Sequence, residues 1–331
     1  MKERIDLMKI ESAIVTGGAG FIGSHLIDKL LEQNVDKILI IDDLSTGKKQ
    51  NVDKHKNNKN IEFLQSRVED IDKLEEKIQN FDICFHLAAG VGVKYIMENI
   101  SQALLTNIEA THKMISACSR NGIPLLITST SEVYGVSEDE VWSEETRSLI
   151  GPPNKLRWSY AASKLIDEFL CLSEYENGNL NPIIVRLFNI IGPRQVGEFG
   201  MVVPKFITQA QKNENLIIHG DGSQSRSFTW VGDVVDSFIK LVEAEKFGEI
   251  FNIGHPEEIT IVDLANLIIK INDSSSGITF TPHEEIYGKS FDDPKRRTPD
   301  ISKIINEIGY KPSMNLEEMI KEISIHMGTS S

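Results

Sequence analysis

The sequence predicts an α/β protein in which a doubly wound parallel sheet is joined to a smaller α/β domain. Short β-branched runs alternate with helical patterns through the first half of the chain. A glycine-rich turn separates the first run from the first helical pattern, and after residue 190 loops rich in Gly and Pro take over between shorter elements. With 331 residues, 40% of them hydrophobic and 25% charged, the chain is long enough to bury a large core and has the composition of a globular protein.

In order, SAIVTGG reads as the first strand, and FIGSHLIDKLLEQ (21–33) as a helix whose Ile22, Leu26, Ile27, Leu30 and Leu31 recur at helical spacing to face the sheet. KILIIDD, DICFHLAA and PLLITSTS read as further strands, with a helix over about 101–120 between the last two. SYAASK opens a helix that continues through LIDEFLCLSEY, and NPIIVRLFNI follows as a sixth, buried strand. IGPRQVGEFG and HGDGSQSRSF are loops of the smaller domain. WVGDVVDSFIKLVEA and EIFNIG supply a helix and a strand, so that about 230–255 is expected to rejoin the large sheet. KHKNNKN (54–60) and DSSSG (273–277) read as exposed turns.

The formal net charge of −14, from 49 acidic and 35 basic residues, disfavours nucleic acid and anionic membranes as partners but leaves room for a local basic pocket. Cys84, Cys118 and Cys171 form neither a CxxC pair nor an even set, which suits a reducing cytoplasm. The start MKERIDLMKI is too charged for a signal sequence, and no run approaches the roughly 18 apolar residues of a membrane span. The eight histidines show no metal-binding spacing, so no metal is expected.

TGGAGFIG (16–23) follows the first strand and opens the first helix, with Gly17, Gly20 and Gly23 in the pattern GxxGxxG. Two such glycines let the backbone approach a pyrophosphate, the third lets helix and strand pack closely, and the helix N-terminus offers amide donors to the phosphates. Asp42 ends the second strand, where a carboxylate can accept hydrogen bonds from an adenosine ribose and would repel a 2′-phosphate. These features predict a Rossmann-type sheet that binds NAD rather than NADP, although Lys48 and Lys49 lie close by. Residues 1–189 are expected to form the NAD-binding domain and 190–331 mainly the substrate domain. Tyr160 and Lys164 lie four apart at the start of a helix and can reach one point in space. A nearby ammonium favours the ionised phenol, so the pair could handle a proton.

The glycine pattern, Asp42 and YAASK together resemble the extended short-chain dehydrogenase/reductase family of nucleotide-sugar enzymes. HLAAG (86–90), Asn107 in LLTNIEAT, STSEVYG (129–135), RLFNIIGPR (186–194) and GDGSQSRSF (220–228) resemble family blocks in the expected order, so the likeness spans nearly the whole chain. It implies that Tyr160 is the base on the sugar 4-hydroxyl and that Lys164 holds both Tyr160 and the nicotinamide ribose. It also places Phe21, Ile22, Leu87, Ala88 and Asn107 on the cofactor. Val68 is the implied adenine contact, although SRVED (66–70) departs from the family's usual Gly-Asp with Arg67. A 4-keto sugar formed there can be epimerised, dehydrated or decarboxylated. Epimerisation needs only an alcohol such as Ser129 or Thr130, whereas Glu132 suggests chemistry at carbon 5 or 6.

SLIGPPNKLRWSYAASK is similar to the matching segment of UDP-glucuronate decarboxylases. That resemblance implies Ser131 and Glu132 in the sugar pocket and Arg297, in KRRTPD, at the substrate carboxylate. Asn189, Val203, Pro204, Gln224 and Arg226 are the implied nucleotide contacts. The expected activity is therefore decarboxylation of UDP-glucuronate or an N-acetylated relative. A 4,6-dehydratase or 4-epimerase is the alternative, and a dinucleotide-sensing regulator that binds without turnover is a remote one. The family implies a homodimer through the helices near 101–120 and 160–177.

Overall fold

The computed structural model describes residues 8–90, 100–197, 201–282 and 294–329; MKERIDL and the last three residues of the IGPRQVGEFG loop lie outside them. Seven strands form one parallel sheet: β1 (Ser12–Thr16), β2 (Lys37–Asp42), β3 (Ile61–Gln65), β4 (Ile83–His86), β5 (Leu125–Thr130), β6 (Pro182–Leu187) and, from far along the chain, β11 (Glu249–Ile253). Their order is β3-β2-β1-β4-β5-β6-β11. The inner strands are Val/Ile/Leu-rich because both faces of the sheet are covered, leaving no polar side to alternate with. IEFLQ, which alternation alone did not single out, is the half-exposed edge strand β3.

On one face lie α1 (Phe21–Glu32), α7 (Val231–Glu243) and α9 (Ser302–Ile308), which share a core with Val15, Ile40, Phe85, Val185 and Phe251. On the other lie α4 (Ile100–Asn121) and α5 (Ser159–Glu176), packed through Met114, Ile115, Cys118 and Cys171. The turns α2 (Gln50–Asp53) and α3 (Leu74–Lys77) fill two of the connections. The α1 stripe is narrower than its spacing predicts: Leu26, Ile27 and Leu30 are buried, while Ile22 faces a cavity. α7 packs against α1, and β11 pairs with β6, Glu249 opposite Ile183.

A second core gathers Val203, Phe206, Leu216, Ile218, Leu264, Ile268, Met319 and Ile323. It joins α6 (Val202–Gln211), α8 (Ile261–Ile271) and α10 (Leu316–Thr329) to β8 (Leu216–His219), which pairs with β13 (Ile278–Thr281). Two short pairs link this unit to the sheet's edge: β7 (Ile190–Ile191) with β10 (Thr229–Trp230), and β9 (Ser225–Ser227) with β12 (Glu258–Thr260). No helix among the described residues is long and apolar enough to cross a membrane.

Candidate active site

In a doubly wound sheet the chain runs outward from the middle in both directions, leaving a crevice at the carboxyl ends of the strands where the order reverses. Here the reversal lies between β1 and β4, and a cavity of about 580 Å³ opens there and continues to the smaller unit. Of the residues read from the sequence as site residues, all line this cavity except Lys164 and Pro204. Pro204 is buried inside α6, and Lys164 is 2% exposed within α5.

At the β1 end, Gly17 has φ +70°, and a Cβ there would stand 2.9 Å from the amide nitrogen of Ala88. A Cβ on Gly23 would stand 2.3 Å from the carbonyl oxygen of Gly17, so α1 rests directly on the loop. The α1 N-terminus, with Gly20, Phe21 and Ile22, faces the cavity and has no side-chain cap and no acid in its first turn. Asp42 accepts the Leu44 amide at 2.8 Å and the Ala19 amide at 2.9 Å. Burial pushes its carboxyl up, and these amides oppose the rise. Val68, Leu87, Ala88 and Asn107 complete this end, the Asn107 Oδ1 accepting the Gly90 amide at 2.7 Å.

At the far end of β5 the chain turns through a single 3₁₀ turn, Ser131–Tyr134, capped by Thr130, whose Oγ1 accepts the Glu132 amide at 3.2 Å. The turn holds Glu132 between two largely buried guanidiniums, Arg157 and Arg297, each 3.7 Å away. Ser129 donates its hydroxyl to Glu168, which also takes a forked pair of hydrogen bonds from Arg186 at 2.7 and 3.0 Å. The Ser129 proton is thereby committed, while Thr130 and Ser131 line the same cavity as Tyr160.

The ammonium of Lys164 does not leave Tyr160 the easily ionised phenol that spacing alone predicts. Lys164 donates to Asp167 at 2.9 Å, and loss of water, with Glu132 and Asp167 adding negative charge nearby, pushes the Tyr160 phenol well above its usual range. On the smaller unit, Asn189 donates to the Ser227 carbonyl at 2.8 Å, Gln224 to the His219 carbonyl at 3.0 Å, and Arg226 to the Ser225 carbonyl at 2.7 Å. Lys205 and His219, 3.5 Å apart, join Val203 on the same wall.

With the glycine loop, the β2 acid and the Tyr160 helix facing one cavity, comparison with known proteins decides the family: the NAD dependent epimerase/dehydratase profile matches residues 13–254. The chain belongs to this family. It is 36% identical over 310 residues to UDP-N-acetyl-alpha-D-glucosaminuronate decarboxylase of Bacillus cytotoxicus, covering 93% of this chain and 95% of that one. It is 35% identical to UDP-glucuronic acid decarboxylase 4 of Arabidopsis thaliana, covering 94% and 67%. The crystal structure of UDP-glucuronic acid 4-epimerase from Bacillus cereus, with UDP-glucuronic acid and NAD, superposes with a TM-score of 0.87 at 28% identity, covering 97% of this chain and all of that one.

The family's cofactor, NAD, fits the residues present. The loop leaves space that a Cβ at Gly17 or Gly23 would fill, α1 offers unshared amides, and Asp42 ends β2 within the cavity. Sequence reasoning missed Arg157, Asp167, and the Glu168–Arg186 pair behind Ser129. Asp167 was within reach, because it stands three residues after Lys164 and so shares its helix face. Arg186 and Glu168 carry no such signal, since only the packing of α5 on β6 brings them together.

Proposed function

We propose that this protein is an NAD-dependent decarboxylase of a UDP-uronic acid, UDP-glucuronate or its 2-acetamido relative, working through a 4-keto sugar. The observation that carries the reading is the placement of Glu132 between Arg157 and Arg297 on the cavity wall that also bears Tyr160. An epimerase needs no such carboxylate, and the names of the 36% and 35% identical relatives point the same way.

Bound against Gly17, Gly20, Gly23 and Asp42, NAD supplies a hydride acceptor for carbon 4 of the sugar. Tyr160, in its ionised form, takes the proton of the 4-hydroxyl as carbon 4 is oxidised, and Lys164 supports it from the same helix face. With carbon 4 a ketone, the carbon 6 carboxylate belongs to a β-keto acid. The bond between carbons 5 and 6 breaks, carbon dioxide leaves, and its electron pair stays as an enolate that the Tyr160 hydroxyl stabilises by donating to its oxygen. Arg297 presents a planar fork suited to the departing carboxylate. Glu132 relays to carbon 5 a proton taken up from solvent. Asn189, Gln224 and Arg226 hold the nucleotide diphosphate, with Val203 against the base and Pro204 behind it inside α6. Arg226 supplies positive charge in a protein of net charge −14.

The test is to incubate protein and NAD separately with UDP-glucuronate, UDP-N-acetylglucosaminuronate, UDP-glucose and UDP-N-acetylglucosamine and follow product mass. Loss of carbon dioxide from a uronate is expected, and Glu132→Gln should slow it by about 100- to 10,000-fold. Full carbon dioxide release by that variant refutes the assignment. A second reading, 4-epimerisation, is favoured by the likeness to the Bacillus cereus epimerase structure and would appear as an isomer of unchanged mass.

We further propose a homodimer, supported by apolar side chains left exposed on α4 and α5, Leu105 at 54% and Phe169 at 70%. A reducing cytoplasm suits the three buried, free thiols of Cys84, Cys118 and Cys171.

A further inference from the structure

Glu132 and Arg297 are far apart in the chain, yet their charged ends meet at 3.7 Å. That separation is too long for a hydrogen bond, so the pair attracts without fixing its own geometry. Other contacts must hold the backbones that carry the two side chains. They converge on Asn252, near the end of β11, whose polar side chain is fully buried. Tyr134, the last residue of the 3₁₀ turn that bears Glu132, donates its hydroxyl to Asn252 Oδ1 at 2.7 Å. Asn252 Nδ2 donates to the carbonyl of Trp142 at 2.8 Å and to that of Asp300, three residues beyond Arg297, at 3.2 Å. The Asn252 backbone amide donates to the Glu144 carboxylate at 2.7 Å.

A carbonyl oxygen only accepts, so the amide nitrogen of Asn252 must face Trp142 and Asp300, and its oxygen must face Tyr134. The side chain therefore has one orientation, with both of its protons in use. Trp142 strengthens the junction. Its amide donates to the Thr298 carbonyl at 2.9 Å, its carbonyl accepts the Asp300 amide at 2.8 Å, and its ring packs on that of Tyr134 with centroids 5.4 Å apart. None of Tyr134, Trp142, Asn252 and Asp300 lines the cavity, so any effect they have on the reaction passes through the residues they hold.

We propose that Asn252 is a positioning residue: by tying the Glu132 turn to the segment after Arg297, it sets the spacing of the two groups that handle the substrate carboxylate and the carbon 5 proton. The proposal rests on the decarboxylase reading and on the roles it gives Glu132 and Arg297. Tyr160 and Lys164 are carried by α5, which none of the Asn252 hydrogen bonds reaches. Loosening the junction therefore slows the loss of carbon dioxide, while the oxidation of carbon 4 at Tyr160 continues.

The experiment mixes NAD-loaded protein with saturating UDP-glucuronate or its 2-acetamido relative and follows two signals, the absorbance of the reduced cofactor and the carbon dioxide released. Asn252→Asp keeps the size of the side chain and the acceptor for Tyr134 but turns an acceptor toward two carbonyls. It should slow carbon dioxide release by about 10- to 100-fold and leave cofactor reduction within about threefold, so that reduced cofactor and a 4-keto uronate accumulate. Tyr134→Phe, which keeps the ring against Trp142, should give the same split at about three- to tenfold, and it decides the matter should Asn252→Asp not fold. Equal loss of both signals in a folded variant is what a merely structural asparagine would give, and it overturns the proposal, as does undiminished carbon dioxide release. An unaltered protein that releases no carbon dioxide from either uronate refutes the decarboxylase reading and this proposal together. An unaltered protein that releases it, with variants that show no split, refutes this proposal alone.

Discussion

A methyl group on Gly23 would meet the Gly17 carbonyl at 2.3 Å, backbone against backbone, so neither side can yield by changing rotamer. Gly23→Ala should push α1 off its loop at a cost of about 1–3 kcal/mol. The displaced amides should weaken NAD binding by about tenfold or more while circular dichroism stays native. Calorimetric titration with NAD checks this, and unchanged affinity would show that α1 need not touch the loop. Position 160 carries the opposite lesson. Its ionisation is set by what surrounds it, because burial and then the negative charges of Glu132 and Asp167 raise the phenol's pKa in the same direction.

Helices α4 and α5 pack on each other, yet one surface of the pair remains apolar and open to solvent. Phe169 at 70% exposure and Leu105 at 54% are what a second copy would cover, and exposed apolar patches of this kind mark association surfaces. Phe169→Asp should shift the mass measured by light scattering from dimer to monomer at micromolar concentration. A monomeric unaltered protein would remove the basis for the dimer. Among the other elements, the 3₁₀ turn after β5 shows how a short segment serves chemistry: Thr130 caps it, and the cap fixes where Glu132 points.

For the molecule as a whole, acid sensitivity should reside in two histidines, buried His86 and partly buried His25. Burial lowers the pKa of His86 to about 3 and of His25 to about 4, and the unfolded chain binds their protons from about pH 6.5 downward. Below that point the unfolded state holds more protons, so stability falls as pH drops, by at most about 1.4 kcal/mol per pH unit for each histidine. The loss contributed by His25 should be complete near pH 4. Denaturant melts between about pH 7 and 4.5 should show this slope, and His25→Gln should flatten it; an equal slope in the variant would place the acid sensitivity elsewhere.

The sequence by itself determined the elements whose signals are local. The β1 run, the glycine loop, Asp42 at the end of β2, and the helix bearing Tyr160 and Lys164 all stand where periodicity and spacing put them, because each rests on backbone constraints spanning a few residues. The half-exposed edge strand β3 was not legible, since its residues satisfy neither a fully buried nor a cleanly alternating pattern. Only the tertiary structure decided what surrounds the reacting groups. Arg157 and Arg297 meet at Glu132, Ser129 gives its proton to the Glu168–Arg186 pair, and Thr16 reaches Thr111 through His86. These contacts join residues up to 165 positions apart, from Glu132 to Arg297, and no local pattern carries them. The direction of the Tyr160 shift was decided there as well, because burial and the negative charges of Glu132 and Asp167 are properties of the folded site that spacing along the helix does not carry.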